Sequence, residues 1–110
     1  MDELFLKKVE NLIEENISDE YFGVPEMQNG LAMSKTQLHR KMKAITDNAP
    51  GEFLRNFRLQ KAAQLIAGKS DSITQIAYSV GFNNLSYFTK CFKELFGVLP
   101  SEYLPKNNLS

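Results

Sequence analysis

Residues 34–53 of this chain return fifty positions later. Ser34 maps onto Asn84, both residue types that cap helix N-termini. Leu38, Met42 and Ile45 map onto Phe88, Phe92 and Leu95. Arg40 maps onto Lys90 and Lys43 onto Lys93, while Pro50, Glu52 and Phe53 map onto Pro100, Glu102 and Tyr103. Upstream the register slips by one, because "GFNN" is one residue longer than "AMS". The chain therefore holds one unit twice: a short helix, a tight turn and a capped second helix, with a helix over 50–67 between the copies.

The second helix of each copy has two different faces. In "SKTQLHRKMKAI", Leu38, Met42 and Ile45 recur at i, i+4, i+7. Ser34 followed by Gln37 is a capping box, which defines the start. At about 100° per residue, Lys35, Thr36, His39, Arg40 and Lys43 fall on the opposite side. In the second copy the equivalent face holds Ser86, Thr89, Lys90 and Lys93, with Tyr87 on its flank.

The remaining segments are helical too. Residues 2–15 place Leu4, Phe5, Val9, Leu12 and Ile13 on one stripe, with Asp2 as N-cap and an acidic outer face. "VPEMQNGLA" is a short helix with Pro25 near its start; Gly30 inside it costs roughly 1 kcal/mol relative to Ala. Pro50 begins the long helix and Gly68 ends it; Phe53, Leu54, Phe57, Leu65 and Ile66 give it a broad apolar face. "SITQIAYSV" turns Ile73, Ile76, Ala77 and Val80 inward. "NLSYFTKCFKELF" carries the stripe Phe88, Phe92, Leu95 and Phe96. "GVLPSEYL" adds a last turn of helix, and the tail "PKNNLS" reads as loose. No segment alternates convincingly as a strand, so the fold class is all-α, one domain over 1–110.

A basic face is at first sight odd in a protein of zero net charge. The charge is polarised along the chain. Residues 1–30 set two lysines against eight acids, residues 33–66 set seven basic residues against two acids, and the rest is close to neutral. One face of a neutral domain can thus meet an anionic partner. The single cysteine, Cys91, excludes an internal disulfide and fits a reducing cytoplasm. The start "MDELFLKKVE" is not a signal peptide, and no apolar run spans a bilayer. The expected location is cytoplasmic, with no membrane contact.

A short helix, a tight turn and a second helix with an exposed polar face describe a helix-turn-helix. The first helix braces the second, which is slim enough for the DNA major groove. Long donors suit guanine and phosphate, and short polar groups suit other base edges. Lys35, Thr36, His39, Arg40 and Lys43 form such a set, and so do Ser86, Thr89 and Lys90. Tyr87 reads equally as core or as phosphate contact. His39 as a metal ligand lacks a second His, so base or phosphate contact is its reading. Cys91 reads as a small helix residue beside the Phe88/Phe92 stripe, and Phe82 as turn packing. Arg55, Arg58 and Lys61 either touch phosphate or brace the two halves through internal ion pairs; for Arg58 the second reading is preferred.

The stretches "MSKTQLHRKMKAIT", "APGEFLRNFRLQKAAQLI" and "SITQIAYSVGFNNLSYFTKCFKELFGVLPSEY" resemble the AraC/XylS family of bacterial transcription regulators, over nearly the full length. The resemblance implies about seven helices. Two helix-turn-helix units, about 22–46 and 72–97, are joined by a linker helix, about 50–67. It implies double-stranded DNA as partner, read through two successive major grooves, with RNA polymerase as a further candidate partner. Neither cofactor nor metal is implied. Such domains are usually fused to a sensing or dimerising part, so the chain reads as the output domain of a ligand-sensing regulator or a hybrid two-component protein. Alone it is expected to be monomeric.

The first unit departs from the family pattern. Met27-Gln28 stands where Leu-Ala is common, and Ala32 stands where the turn often has Gly. Ala32 is unfavourable if the turn needs positive φ. An enzyme is the weakest rival reading: there is no Ser-His-Asp set, no phosphate loop and no convergent acids with a base. A helical protein–protein interaction module is the serious one, since a pI near 6.6 is unusual for a strong DNA binder. That module binds no duplex at low salt, which separates the two.

Overall fold

The computed structural model describes residues 2–69 and 71–103. These form six α-helices: α1 (Asp2–Glu15), α2 (Val24–Leu31), α3 (Lys35–Thr46), α4 (Pro50–Gly68), α5 (Ile73–Ser79) and α6 (Leu85–Phe96), followed by a 3-10 turn, Pro100–Glu102. No strand occurs among the described residues, so the all-α expectation and the count of about seven helical elements hold. The tail 105–110 lies outside the described residues.

Local chemistry explains where the helices begin. Ser34 Oγ accepts from the Gln37 amide at 3.2 Å, and Gln37 Oε1 accepts from the Ser34 amide at 3.0 Å. Ser72 and Gln75 repeat this box ahead of α5. Asn84 Oδ1 caps α6 by accepting from the Tyr87 amide at 2.8 Å. The repeated Pro-x-Glu has the same kind of role. Pro50 and Pro100 stand in the first turn, while Glu52 and Glu102 accept from the amides of Ala49 and Leu99. That part of the repeat is start-of-helix chemistry.

Both tight turns close alike. The Met33 amide donates to Gln28 O and the Ala32 amide to Asn29 O; Phe82 and Gly81 donate to Ala77 O and Tyr78 O. These are Schellman pairs, and each needs a left-handed residue. Gly81 supplies it in the second turn at φ 96°, and Ala32 in the first at φ 54°. The strain expected for Ala32 is thus present. Ala32 is also exposed, so a glycine there loses no packing. Ala32→Gly therefore stabilises the protein by about 0.5–1 kcal/mol. Urea unfolding reads the change, and a destabilised variant would contradict it.

The core has two parts. Phe5, Val9, Ile13, Phe22, Met27, Leu38, Met42 and Leu54 form one; Leu59, Ala62, Ala63, Ile76, Ala77, Val80, Phe82, Phe88, Cys91 and Phe92 form the other. Helix α4 lends Leu54 to the first and Leu59, Ala62 and Ala63 to the second. Among the described residues, no buried residue belongs to both, and Ile17 alone packs against each from the rim. Gly30 finds its reason here. A Cβ on it would lie 2.6 Å from Leu12 Cδ2, so the glycine lets α1 approach α2 closely.

Several expectations need correction. Leu4 is 71% exposed; Phe5, Val9 and Ile13 suffice to seat α1. Asp2 is already helical and so is not the N-cap. Helix α4 runs one residue further, through Gly68, and Lys69 takes the left-handed position at φ 53°. Leu95 is 39% exposed; Phe96 and Tyr103 pack against Phe92, at 4.5 and 5.5 Å between ring centroids.

Candidate nucleic-acid interface

On α3, Lys35, Thr36, His39, Arg40 and Lys43 are exposed and line one shallow surface groove. Leu38 and Met42 point the other way and are fully buried. The amphipathic pattern therefore gathers all five residues on one face. The first four have no side-chain hydrogen bond or ion pair among the described residues. Lys43 donates to Asp47 O at 3.3 Å, at the helix C-terminus. Lys41 is drawn off this face: its ammonium sits 4.4 Å from the Phe5 ring centroid.

Helix α6 presents the matching set. Ser86 and Lys90 are exposed, as is Lys93, and Thr89 is half-buried. Phe88 and Phe92 bury the reverse face. Tyr87 is 50% exposed and leans on Phe82, with ring centroids 6.1 Å apart. It is neither core nor fully presented. It stands in an open cleft with Glu20, Gly51, Leu54, Arg55, Arg58, Gly81, Phe82 and Asn83, contributed by both halves of the domain. Cys91 and Phe82 are buried, Phe82 edge-on to Phe88 at 5.1 Å. Among the described residues no group of three or more His, Cys, Asp or Glu side chains is placed to hold a metal. No helix of the described residues is long and apolar enough to cross a membrane.

The three basic residues of α4 have separate fates. Lys61 pairs with Glu14 at 2.9 Å, the one ion pair among the described residues. Arg55 is half-buried and lines the cleft beside Tyr87. Arg58 is 6% exposed. Its Nη1 donates to Ile17 O at 2.5 Å and Val80 O at 2.6 Å, and its Nη2 to Asp19 O and Phe22 O, both at 3.1 Å. Arg58 does brace the two halves, but through backbone carbonyls and not through the ion pairs expected from the sequence. Burial lowers its pKa, and the Asp19 charge opposes this. It stays a cation, as arginine does in proteins. Sequence periodicity places Arg58 on the helix but carries no signal for acceptors that are main-chain atoms.

Gly81 makes the brace sterically feasible. A Cβ there would lie 1.5 Å from Arg58 Nη1 and 2.7 Å from Ile17 O. The turn glycine of the second unit thus serves twice, through its φ and through the space it leaves.

Comparison with known proteins agrees with this architecture. A family described as a helix-turn-helix domain matches residues 28–106. The chain is 42% identical over 103 residues to histidine kinase P4 of Formosa agariphila, covering 94% of this chain and 8% of that protein. It is 33% identical over 99 residues to the HTH-type transcriptional regulator MtrA of Neisseria gonorrhoeae, covering 88% and 33%. The chain thus spans a small part of the relatives it matches. A crystal structure of a transcriptional regulator from Chromobacterium violaceum, described as containing an AraC-type DNA-binding domain, superposes with a TM-score of 0.80. Its identity is 29%, over 88% of this chain and 86% of that one. On the match to the helix-turn-helix pattern and on two capped helix pairs mounted on one long helix, the chain belongs to the AraC/XylS family of helix-turn-helix DNA-binding domains.

Proposed function

We propose that this domain reads double-stranded DNA with α3 and α6 in two successive major grooves, as the output part of a bacterial transcription regulator. One observation carries this: two helices at repeat-related positions expose matching polar, basic faces on a shared frame. Helix α4 has 19 residues, about 28 Å at 1.5 Å per residue. The domain is 42 Å in its longest dimension. Both lengths suit grooves about 34 Å apart, one turn of duplex. In the first unit Lys35, Thr36, His39, Arg40 and Lys43 contact bases and phosphates. Arg40 is the best placed for guanine, by its exposure and its long forked donor. In the second unit Ser86, Thr89 and Lys90 do the corresponding work, with Tyr87 at the edge. The likeness to a histidine kinase favours a hybrid two-component parent, in the cytoplasm.

The test is a gel-shift series on a site selected from random duplexes. Arg40→Ala should weaken specific binding about 5- to 150-fold, the equivalent of roughly 1–3 kcal/mol, and relax preference at one base pair. A spacer lengthened by about 5 base pairs turns the second element to the far side of the duplex, and affinity should collapse. Equal loss on every sequence would reduce Arg40 to a phosphate contact. Indifference to spacing would leave one unit reading DNA. No duplex binding at low salt would favour an interaction module.

A further inference from the structure

We propose that Arg58 is a positioning residue: its four carbonyl bonds fix the setting of α3 relative to α6, and thereby the DNA spacing the domain accepts. The second half rests on the DNA-reading function above. Each recognition helix is anchored in its own core, and no buried residue is common to the two cores. Helices α1–α3 and α5–α6 pack on α4 or among themselves, and no pair across the two sets packs substantially. Among the described residues, the halves are related chiefly by α4, the rim contact of Ile17, the approach of the Gly81 turn to Ile17 O, and Arg58. Apolar contact is non-directional and tolerates small rotations. A planar guanidinium does not, because its donors point along fixed directions.

The acceptors come from both sides. Ile17, Asp19 and Phe22 lie between α1 and α2; Val80 follows α5. Two bonds at each Nη engage the four N–H donors of the two Nη groups, out of the five the guanidinium carries. A lysine offers three donors from a single point, so it can hold fewer of these carbonyls and less rigidly. Small rotations matter at this scale. Over half of the 42 Å long dimension, a tilt of 10° moves a helix end by about 3.6 Å, close to the ~3.4 Å rise of one base pair.

The test uses the full chain in a Cys91→Ala background. Spin labels go on the exposed positions Ala44 of α3 and Glu94 of α6, through Ala44→Cys and Glu94→Cys. Without DNA, the parent should give one narrow distance distribution. Arg58→Met should broaden or shift it by several ångströms, with Arg58→Lys in between. On duplexes with spacers varied one base pair at a time, the parent should have a sharp optimum. The variants should flatten it while keeping the parent's affinity for a duplex holding one element only. A merely stabilising residue would lower the folded fraction and leave the spacing profile and the distances of the folded fraction unchanged; that result overturns the proposal. If Arg58→Met fails to fold, Arg58→Lys decides on the same readouts. If the parent bound no duplex, the DNA-reading function would fall and the spacing half with it, while the distances would still decide whether Arg58 sets the geometry.

Discussion

Gly81→Ala should destabilise the domain by about 3 kcal/mol or more, the sum of three costs at one atom. The φ of 96° is unfavourable for any residue with a Cβ. The new methyl would overlap the Arg58 guanidinium, 1.5 Å from Nη1, and press on Ile17 O at 2.7 Å. Neither neighbour yields cheaply. Moving Arg58 abandons carbonyls of Ile17, Asp19, Phe22 and Val80, and a buried polar group left unpaired costs about 1–3 kcal/mol. Moving Ile17 O shifts the connection out of α1. Urea unfolding gives the magnitude, and a double-mutant cycle gives the cause. In an Arg58→Met background the same substitution should cost at least about 1 kcal/mol less, because one of its clashes is gone. Additive effects would mean that the overlap with Arg58 contributes nothing, and that the backbone angle and the pressure on Ile17 O account for the loss. Set beside Ala32→Gly, the experiment asks opposite questions of the same turn. The first unit has an alanine where the turn favours glycine, and the second has a glycine that cannot be replaced.

The repeat makes most of this fold legible, because it fixes two helix pairs and a spacer without any knowledge of contacts. Caps were readable for the same reason: Ser34 with Gln37, and Asn84, act within three residues. The outward face of α3 followed from periodicity alone, since Leu38 and Met42 fill the core and everything opposite must face solvent. What the sequence did not carry was long-range geometry. Arg58 meets carbonyls 22 to 41 positions away, and a carbonyl has no residue identity to notice. From the sequence Gly30 reads only as a cost in a short helix; in the structure Leu12 Cδ2 lies where a Cβ on it would clash. Tyr87 lies at the edge of a face, where an angular estimate cannot separate packing on Phe82 from presentation in the cleft.

The repeat also over-reached. It maps Met42 onto Phe92 and Ile45 onto Leu95, and so assigns all four to the core. The two units fill their cores differently. Around Phe92 the chain gathers Phe88, Phe96 and Tyr103, with ring centroids at 5.8, 4.5 and 5.5 Å. Phe96 and Tyr103 pack on Phe92, and Leu95 is left at the rim.

That difference sets the last prediction. Phe92→Ala removes the centre of the aromatic cluster from a position with no exposure. Truncating a buried Phe typically costs ~3–5 kcal/mol, from lost burial and from the cavity left behind. Three ring contacts vanish with it, and edge-to-face pairs such as Phe92–Tyr103, at 88° between planes, contribute about 0.5–1.5 kcal/mol beyond area burial. The cavity is hard to close, because Phe88 and Phe96 are held on the same helix as Phe92. A domain of this size has about 5–15 kcal/mol in all, so the variant should unfold or nearly unfold. Leu95→Ala, one turn on and 39% exposed, should cost about 1 kcal/mol or less. Thermal melting of the two variants side by side makes the comparison. Phe92→Ala should lose its cooperative transition or melt tens of degrees lower, and Leu95→Ala should stay within a few degrees of the parent. Equal losses would place both residues in the core and restore the symmetry of the repeat. A mild effect of Phe92→Ala alone would mean that α6 is turned about its axis, and its basic face with it.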